Sequence, residues 1–252
     1  MQELVQAVRN RNRHAIARAI NTIEAGGVEA RALLTALQAD IGHAHRIGIT
    51  GAPGVGKSTL ATAITRALRE LGRTVAIIAV DPSSPFTKGA LLGDRVRMAE
   101  LDHDDSVFIR SMASRGALGG LSDATRGAAD VLDAAGFELI IVETVGVGQS
   151  EVEVARATDT TVVVVSPESG DEIQAAKAGL MEVADLFVVN KCDRPGGNAT
   201  AATLSALAER RRRHHPNRWA PEILRTEAVA ARGISDLVAA VNRHRHWLTE
   251  AV

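Results

Sequence analysis

Uninterrupted runs of aliphatic residues alternate along this chain with longer stretches in which apolar positions return every three or four residues. The runs at 46–50, 75–80, 107–110, 139–143, 160–166, 186–190 and 222–226 read as strands. They do not alternate apolar with polar, as a strand with one wet face would. Continuous Val, Ile and Leu imply burial on both faces, the condition of a parallel sheet. Helical periodicity fills the intervals, at 57–71, 123–135, 150–157, 171–184, 199–214 and 234–250. Parallel strands joined through helices require right-handed crossovers, so the pattern predicts an α/β fold: a doubly wound, mostly parallel sheet of about seven strands. Ahead of it, 4–23 and 28–41 read as two helices parted by Gly26-Gly27, packed on the sheet edge or held out as a partner-facing arm. With no repeat, low-complexity tract or long linker, the expected organisation is a short helical extension over 1–44 and one α/β domain over 45–252.

Composition sharpens this picture. The chain has 252 residues, enough for one large α/β domain. Four Phe, two Trp and no Tyr mean that the core must be aliphatic. A formal net charge of −1 gives no global electrostatic case for nucleic acid or an anionic membrane. The single Cys192 excludes an intramolecular disulfide and any CxxC metal knuckle, which suits a reducing compartment. No segment has the apolar length of a membrane span, and the N-terminal residues lack a signal-peptide core. A cytoplasmic protein is expected.

Chemistry enters with GAPGVGKST at 51–59, which fits G-x-x-x-x-G-K-[ST] between a predicted strand and a predicted helix. In that context Gly51, Ala52, Pro53, Gly54, Val55, Gly56, Lys57, Ser58 and Thr59 form an anion nest at a helix N-terminus. Lys57 reaches the β- and γ-phosphates of a nucleoside triphosphate, and the Ser58 hydroxyl can ligate Mg²⁺. Downstream, Asn190-Lys191-Cys192-Asp193 follows the apolar run LFVVN and fits N-K-x-D. The Asp193 carboxylate can accept from guanine N1–H and the exocyclic amine, whereas adenine would leave it unpaired. That mismatch costs on the order of a few kcal/mol, so GTP is preferred over ATP. Three acids are expected near the phosphates: Asp81 and Glu143 at strand ends, and Asp94 in Gly93-Asp94-Arg95. Strand C-terminal ends face the ligand crevice of an open α/β sheet. All three can surround Mg²⁺ directly or through water. After Glu143, Thr144-Val145-Gly146 reads as a loop whose Gly146 amide senses the γ-phosphate; Gln149 orients water or meets a partner.

Taken together, GAPGVGKST, DPSSPFTKGALLGDR, SMASRGALGGL, ETVGVGQSE and NKCD resemble the MeaB/ArgK group of G3E GTPases, within the SIMIBI class of P-loop proteins. The resemblance spans roughly residues 4–248. It implies GTP hydrolysis to GDP with Mg²⁺, by a chaperone that gates cofactor loading and protects an adenosylcobalamin-dependent acyl-CoA mutase, chiefly methylmalonyl-CoA mutase. It also implies that Asp81, Asp94 and Glu143 are the acids of switches I and II. A third switch, at 166–177, would transmit the mutase's stimulation of hydrolysis, with Lys177 as the stimulatory cation. Glu227, Ala228 and Val229 would form the second guanine-side loop, offering backbone amides to the base. Thr87-Lys88-Gly89 carries Lys where the family commonly has Gly. The resemblance implies a homodimer, although the C-terminal helical extension that family members use for it does not follow Val252.

Other clusters carry less. Arg210-Arg211-Arg212-Arg213-His214-His215 lacks interleaved aromatics for stacking on bases and reads as a solvated helix C-terminus. His43-Ala44-His45 and His244-Arg245-His246 lack a full ligand set and read as surface histidines. No D-x-H-x-x-G occurs, so the chain is not expected to hold cobalamin itself. Two further readings stand beside the mutase chaperone: a metal-insertion GTPase, which would need thiol- or His-rich ligands, and an ATP-dependent kinase or transport ATPase.

Overall fold

A computed structural model describes residues 1–81, 99–101, 103–113, 123–144, 150–168 and 182–250. Seven strands form one sheet: β1 (His45–Thr50), β2 (Val75–Asp81), β3 (Val107–Ala113), β4 (Leu139–Thr144), β5 (Thr160–Val165), β6 (Leu186–Val189) and β7 (Glu222–Arg225). Their order is β3-β2-β4-β1-β5-β6-β7, and every neighbouring pair is parallel. Helices α4 (Lys57–Glu70), α5 (Asp123–Ala134), α6 (Ser150–Ala157), α7 (Gly197–His214) and α8 (Ile234–Glu250) flank it.

Both faces are sealed, as the unalternating runs require. In β2, Val75 and Ile77 pack with α4 and α8 through Leu60, Ile64 and Leu237, while Ala76, Ile78 and Val80 pack on the opposite side with Leu132 and Phe137. Buried Val, Leu or Ile side chains contribute roughly 1.5–3 kcal/mol each, so an aliphatic core this continuous needs few aromatics. Toward the β7 edge, Phe187 and Val189 pack beneath Ala201 and Leu204 of α7.

The N-terminal helices are three: α1 (Gln2–Arg9), α2 (Arg13–Ala25) and α3 (Gly27–Leu37). The single helix expected over 4–23 breaks at Arg11, whose φ of 55° is left-handed. Asn12 then caps α2 by accepting from the Ala15 amide at 3.0 Å, a cap its side chain favours over mid-helix. Arg11 donates to the carbonyls of Ala135 and Gly136, with its guanidinium over the Phe137 ring. Val8, Ile16, Ile20 and Leu33 are fully buried in the same core cluster as Leu132 and Ile140. The helices are therefore packed on the sheet's flank through α5, and the partner-facing-arm alternative does not hold.

Candidate nucleotide-binding site

The C-terminal ends of β1, β4, β5 and β6 converge where the chain's winding changes side, next to β1. Ligand crevices of doubly wound sheets lie there. Between Thr50 and α4 the chain makes the tight turn that GAPGVGKST predicts. Gly51 has φ 139°, and a Cβ there would sit 2.1 Å from the Val164 carbonyl oxygen. Gly56 has φ 96°, and a Cβ would sit 2.5 Å from Asn190 Nδ2. Only glycine meets both demands, conformational and steric.

Lys57, the first residue of α4, is buried and donates to the carbonyls of Gly51 at 2.7 Å and Ala52 at 2.8 Å. Its ammonium thus spans the loop, at the helix end where the dipole and open amides favour anions. Ser58 donates from Oγ to Glu143 Oε1 at 2.6 Å. Glu143 is buried near the end of β4. A hydroxyl and a carboxylate in contact beside the phosphate loop make an all-oxygen donor set, which fits a hard divalent cation such as Mg²⁺. The backbone places Asp81 at the end of β2, one residue past the Val80–Thr144 pair and so level with that same strand end. Its side chain lies outside the described residues, as do Asp94, Gly146, Gln149 and Lys177.

Asn190 joins the two halves of the site. Its Nδ2 donates to the Val55 carbonyl at 2.9 Å, inside the phosphate loop. Its Oδ1 accepts from Thr226 Oγ1 at 3.0 Å and the Ala228 amide at 3.1 Å. Lys191 adopts φ 58° and donates from Nζ to the Gly54 carbonyl at 2.7 Å. Beyond them lies a cleft of about 340 Å³ lined by Gly56, Thr59, Asn190, Lys191, Asp193 and Val229, with Glu227 and Ala228 also on its wall. Asp193 is exposed at the cleft, where an incoming base would cover it. Arg194, also on the cleft wall, is ion-paired with Glu168. Sequence reasoning missed Arg194; the N-K-x-D motif ends one residue before it.

His43 and His246 are exposed, as expected of surface histidines, whereas the expectation for His45 and His244 needs correction. His45 is 4% exposed and His244 2%. Both contact Thr160 Oγ1, from His45 Nε2 at 2.8 Å and from His244 Nδ1 at 2.8 Å. Burial lowers both imidazoles to about 4. They sit at the opposite end of the sheet, beside a second cavity of about 440 Å³ that His45 lines with Arg46, Asp133, Asp159 and Arg245. No group of three or more metal-ligating side chains occurs among the described residues. The arginine run behaves as expected: Arg212 and Arg213 bond Glu209 on exposed surface.

Comparisons with known proteins agree with this fold. The family model described as methylmalonyl Co-A mutase-associated GTPase MeaB matches residues 16–252. A Pyrococcus horikoshii protein carried under a GTPase name is 45% identical over 252 residues, covering 100% of this chain and 80% of its own length. GTPase ArgK of Escherichia coli is 41% identical, covering 99% and 77%. The mouse methylmalonic aciduria type A homolog, mitochondrial, is 39% identical over 81% of this chain and 49% of its own. Among solved structures, a LAO/AO transport system kinase superposes with a TM-score of 0.76 at 32% identity, over 99% of this chain and 76% of that one. HypB from Helicobacter pylori shares the fold at 13% identity and a TM-score of 0.57.

Proposed function

The chain belongs to the MeaB family of GTPases, and we propose that it serves as the GTP-driven chaperone of an adenosylcobalamin-dependent acyl-CoA mutase, methylmalonyl-CoA mutase or a close relative. Asn190 carries most of the support for the nucleotide site. One side chain ties the phosphate loop at Val55 to both base-side loops, so phosphates and base are gripped by a single preformed frame. Preorganised donors of this kind lower the cost of ordering a ligand.

The residues divide the work by position. Gly51 to Thr59 cradle the phosphates, and Lys57 offers its ammonium to the β- and γ-phosphate oxygens. Ser58, Glu143, Asp81 and Asp94 hold Mg²⁺, directly or through water. When bound, the ion neutralises phosphate charge during transfer. Asp193 accepts from guanine N1–H and the amine, Lys191 lays its stem along the base, and the amide of Val229 faces the base carbonyl. The Ala228 amide is already committed to Asn190. Gly146 senses the γ-phosphate. Intrinsic hydrolysis is slow until the partner positions Lys177 to offset the developing charge. No nucleic-acid or membrane partner is proposed, because a net charge of −1 gives no general attraction to either; among the described residues no helix is long and apolar enough to cross a membrane.

The test is GTP turnover alone and with purified methylmalonyl-, isobutyryl- and hydroxyisobutyryl-CoA mutases. Stimulation by one of them on the order of tenfold or more is expected. Unchanged rates with all three would contradict the mutase partnership and leave the GTPase intact.

A further inference from the structure

Resting on the guanine-nucleotide reading, the geometry points to Arg194 as a positioning residue: through its ion pair with Glu168, occupancy of the base cleft is coupled to the chain leaving β5. Arg194 lines the base cleft, whereas Glu168 is not on its wall. Glu168 stands three residues past the end of β5, and its carboxylate meets the Arg194 guanidinium. A second contact runs beside the first. At Gly196, φ 96°, a Cβ would lie 3.6 Å from Pro167 Cβ, so the 194–196 turn leans on the β5 exit.

That exit also touches the phosphate end. The Val164 carbonyl lies directly beneath Gly51, the first residue of the phosphate loop. The Val165 carbonyl accepts from the Asn190 amide at 2.9 Å, where the base motif begins. Residues 164–168 therefore form a wedge between the two halves of the site, and the Arg194–Glu168 pair fastens its outer end. A base seated in the cleft orders the 191–196 turn, and with it the guanidinium that grips Glu168. Linkage is reciprocal. Whatever binds the β5 exit and displaces Glu168 must weaken the hold on nucleotide by the factor with which nucleotide opposes it. The exit is thus a lever by which a protein partner accelerates GDP release.

The side chains are 46% and 58% exposed, so the link is weak and the expected effect modest. Exposed pairs of this kind change equilibria by about two- to fivefold. The experiment is a double-mutant cycle on GDP dissociation, read by displacement of a fluorescent GDP analogue. Glu168→Gln, although away from the cleft, should speed release by about two- to fivefold. Arg194→Ala should do the same, Arg194→Lys should retain most of the hold, and the Glu168→Gln, Arg194→Ala pair should be no faster than the quicker single. In the unmodified protein, GDP should also slow amide exchange across 165–168, and Glu168→Gln should remove that slowing. A wild-type release rate for Glu168→Gln, or additive effects of the two changes, would overturn the coupling. Failure of the unmodified protein to bind GDP would instead remove the guanine-nucleotide reading beneath it.

Discussion

In the proposed function Asp193 carries the choice of base, and one atom's exchange tests it. Asparagine at this position presents an amide N–H where the carboxylate accepted, so it repels the guanine amine and suits a base with a carbonyl there. Loss of a charge-assisted pair costs about 2–3 kcal/mol. Asp193→Asn should therefore weaken GTP by roughly 30- to 150-fold while xanthosine triphosphate gains affinity, both read by calorimetry. Unchanged GTP affinity would place the base elsewhere. The placement of Lys57, Ser58 and Asp193 about one crevice was legible in the sequence because local spacing fixes it. Arg194, His45 and His244 were not. Arg194 gains its meaning from Glu168, and the histidines theirs from Thr160, partners distant in sequence that only the fold supplies.

Elements were legible where burial dictates them. The six-residue β5 is wholly buried, and nothing but a central parallel strand explains TTVVVV. The break between α1 and α2 was not, because apolar periodicity runs through it and the decisive facts are a left-handed Arg11 and a capping Asn12. The entry to β1 likewise depends on one remote carboxylate. Asp133 of α5, 2% exposed, accepts from the amides of Gly42 at 2.8 Å, His43 at 3.2 Å and Ala44 at 2.9 Å. Arg46 adds a bond at 3.3 Å. Asp133→Ala strands three amides and should cost about 3 kcal/mol or more. In a chain of this size that lowers the melting temperature by about 6–12 °C. A near-native melting temperature would show that the turn has another support.

At the scale of the whole molecule, the two ends of the sheet do different work. The C-terminal end gathers the residues proposed for phosphate and base; the other holds the His45–Thr160–His244 chain, flanked by Asp159, Asp185, Arg245 and Glu222. Burial keeps both imidazoles neutral, lowered to about 4. An imidazole ordinarily titrates near 6.5, so the unfolded chain takes up protons first. Stability from these groups is complete above about pH 6.5 and is lost as pH falls toward 4, by at most about 3 kcal/mol apiece. Asp185 runs the other way: burial raises it to about 6, so its protonation favours the fold over the same acid range and offsets about one histidine. With the imidazole neutral, the 3.5 Å approach of His244 to Asp185 is a dipolar contact rather than an ion pair. Urea unfolding should thus show a net loss of about 3 kcal/mol between pH 7 and pH 4. Trp219 and Trp247, with ring centroids 4.8 and 5.9 Å from His244, should report the protonation by fluorescence. Constant stability across that range would contradict the burial of the pair.

In the proposed function a preformed site binds guanine nucleotide with Mg²⁺ and rejects adenine. Isothermal titration of the full chain with GDP, GTP and ATP is the decisive experiment. One GTP or GDP bound per chain is expected, with ATP weaker by about 100-fold or more. ATP binding as tight as GTP, or no heat with either guanine nucleotide, would contradict it.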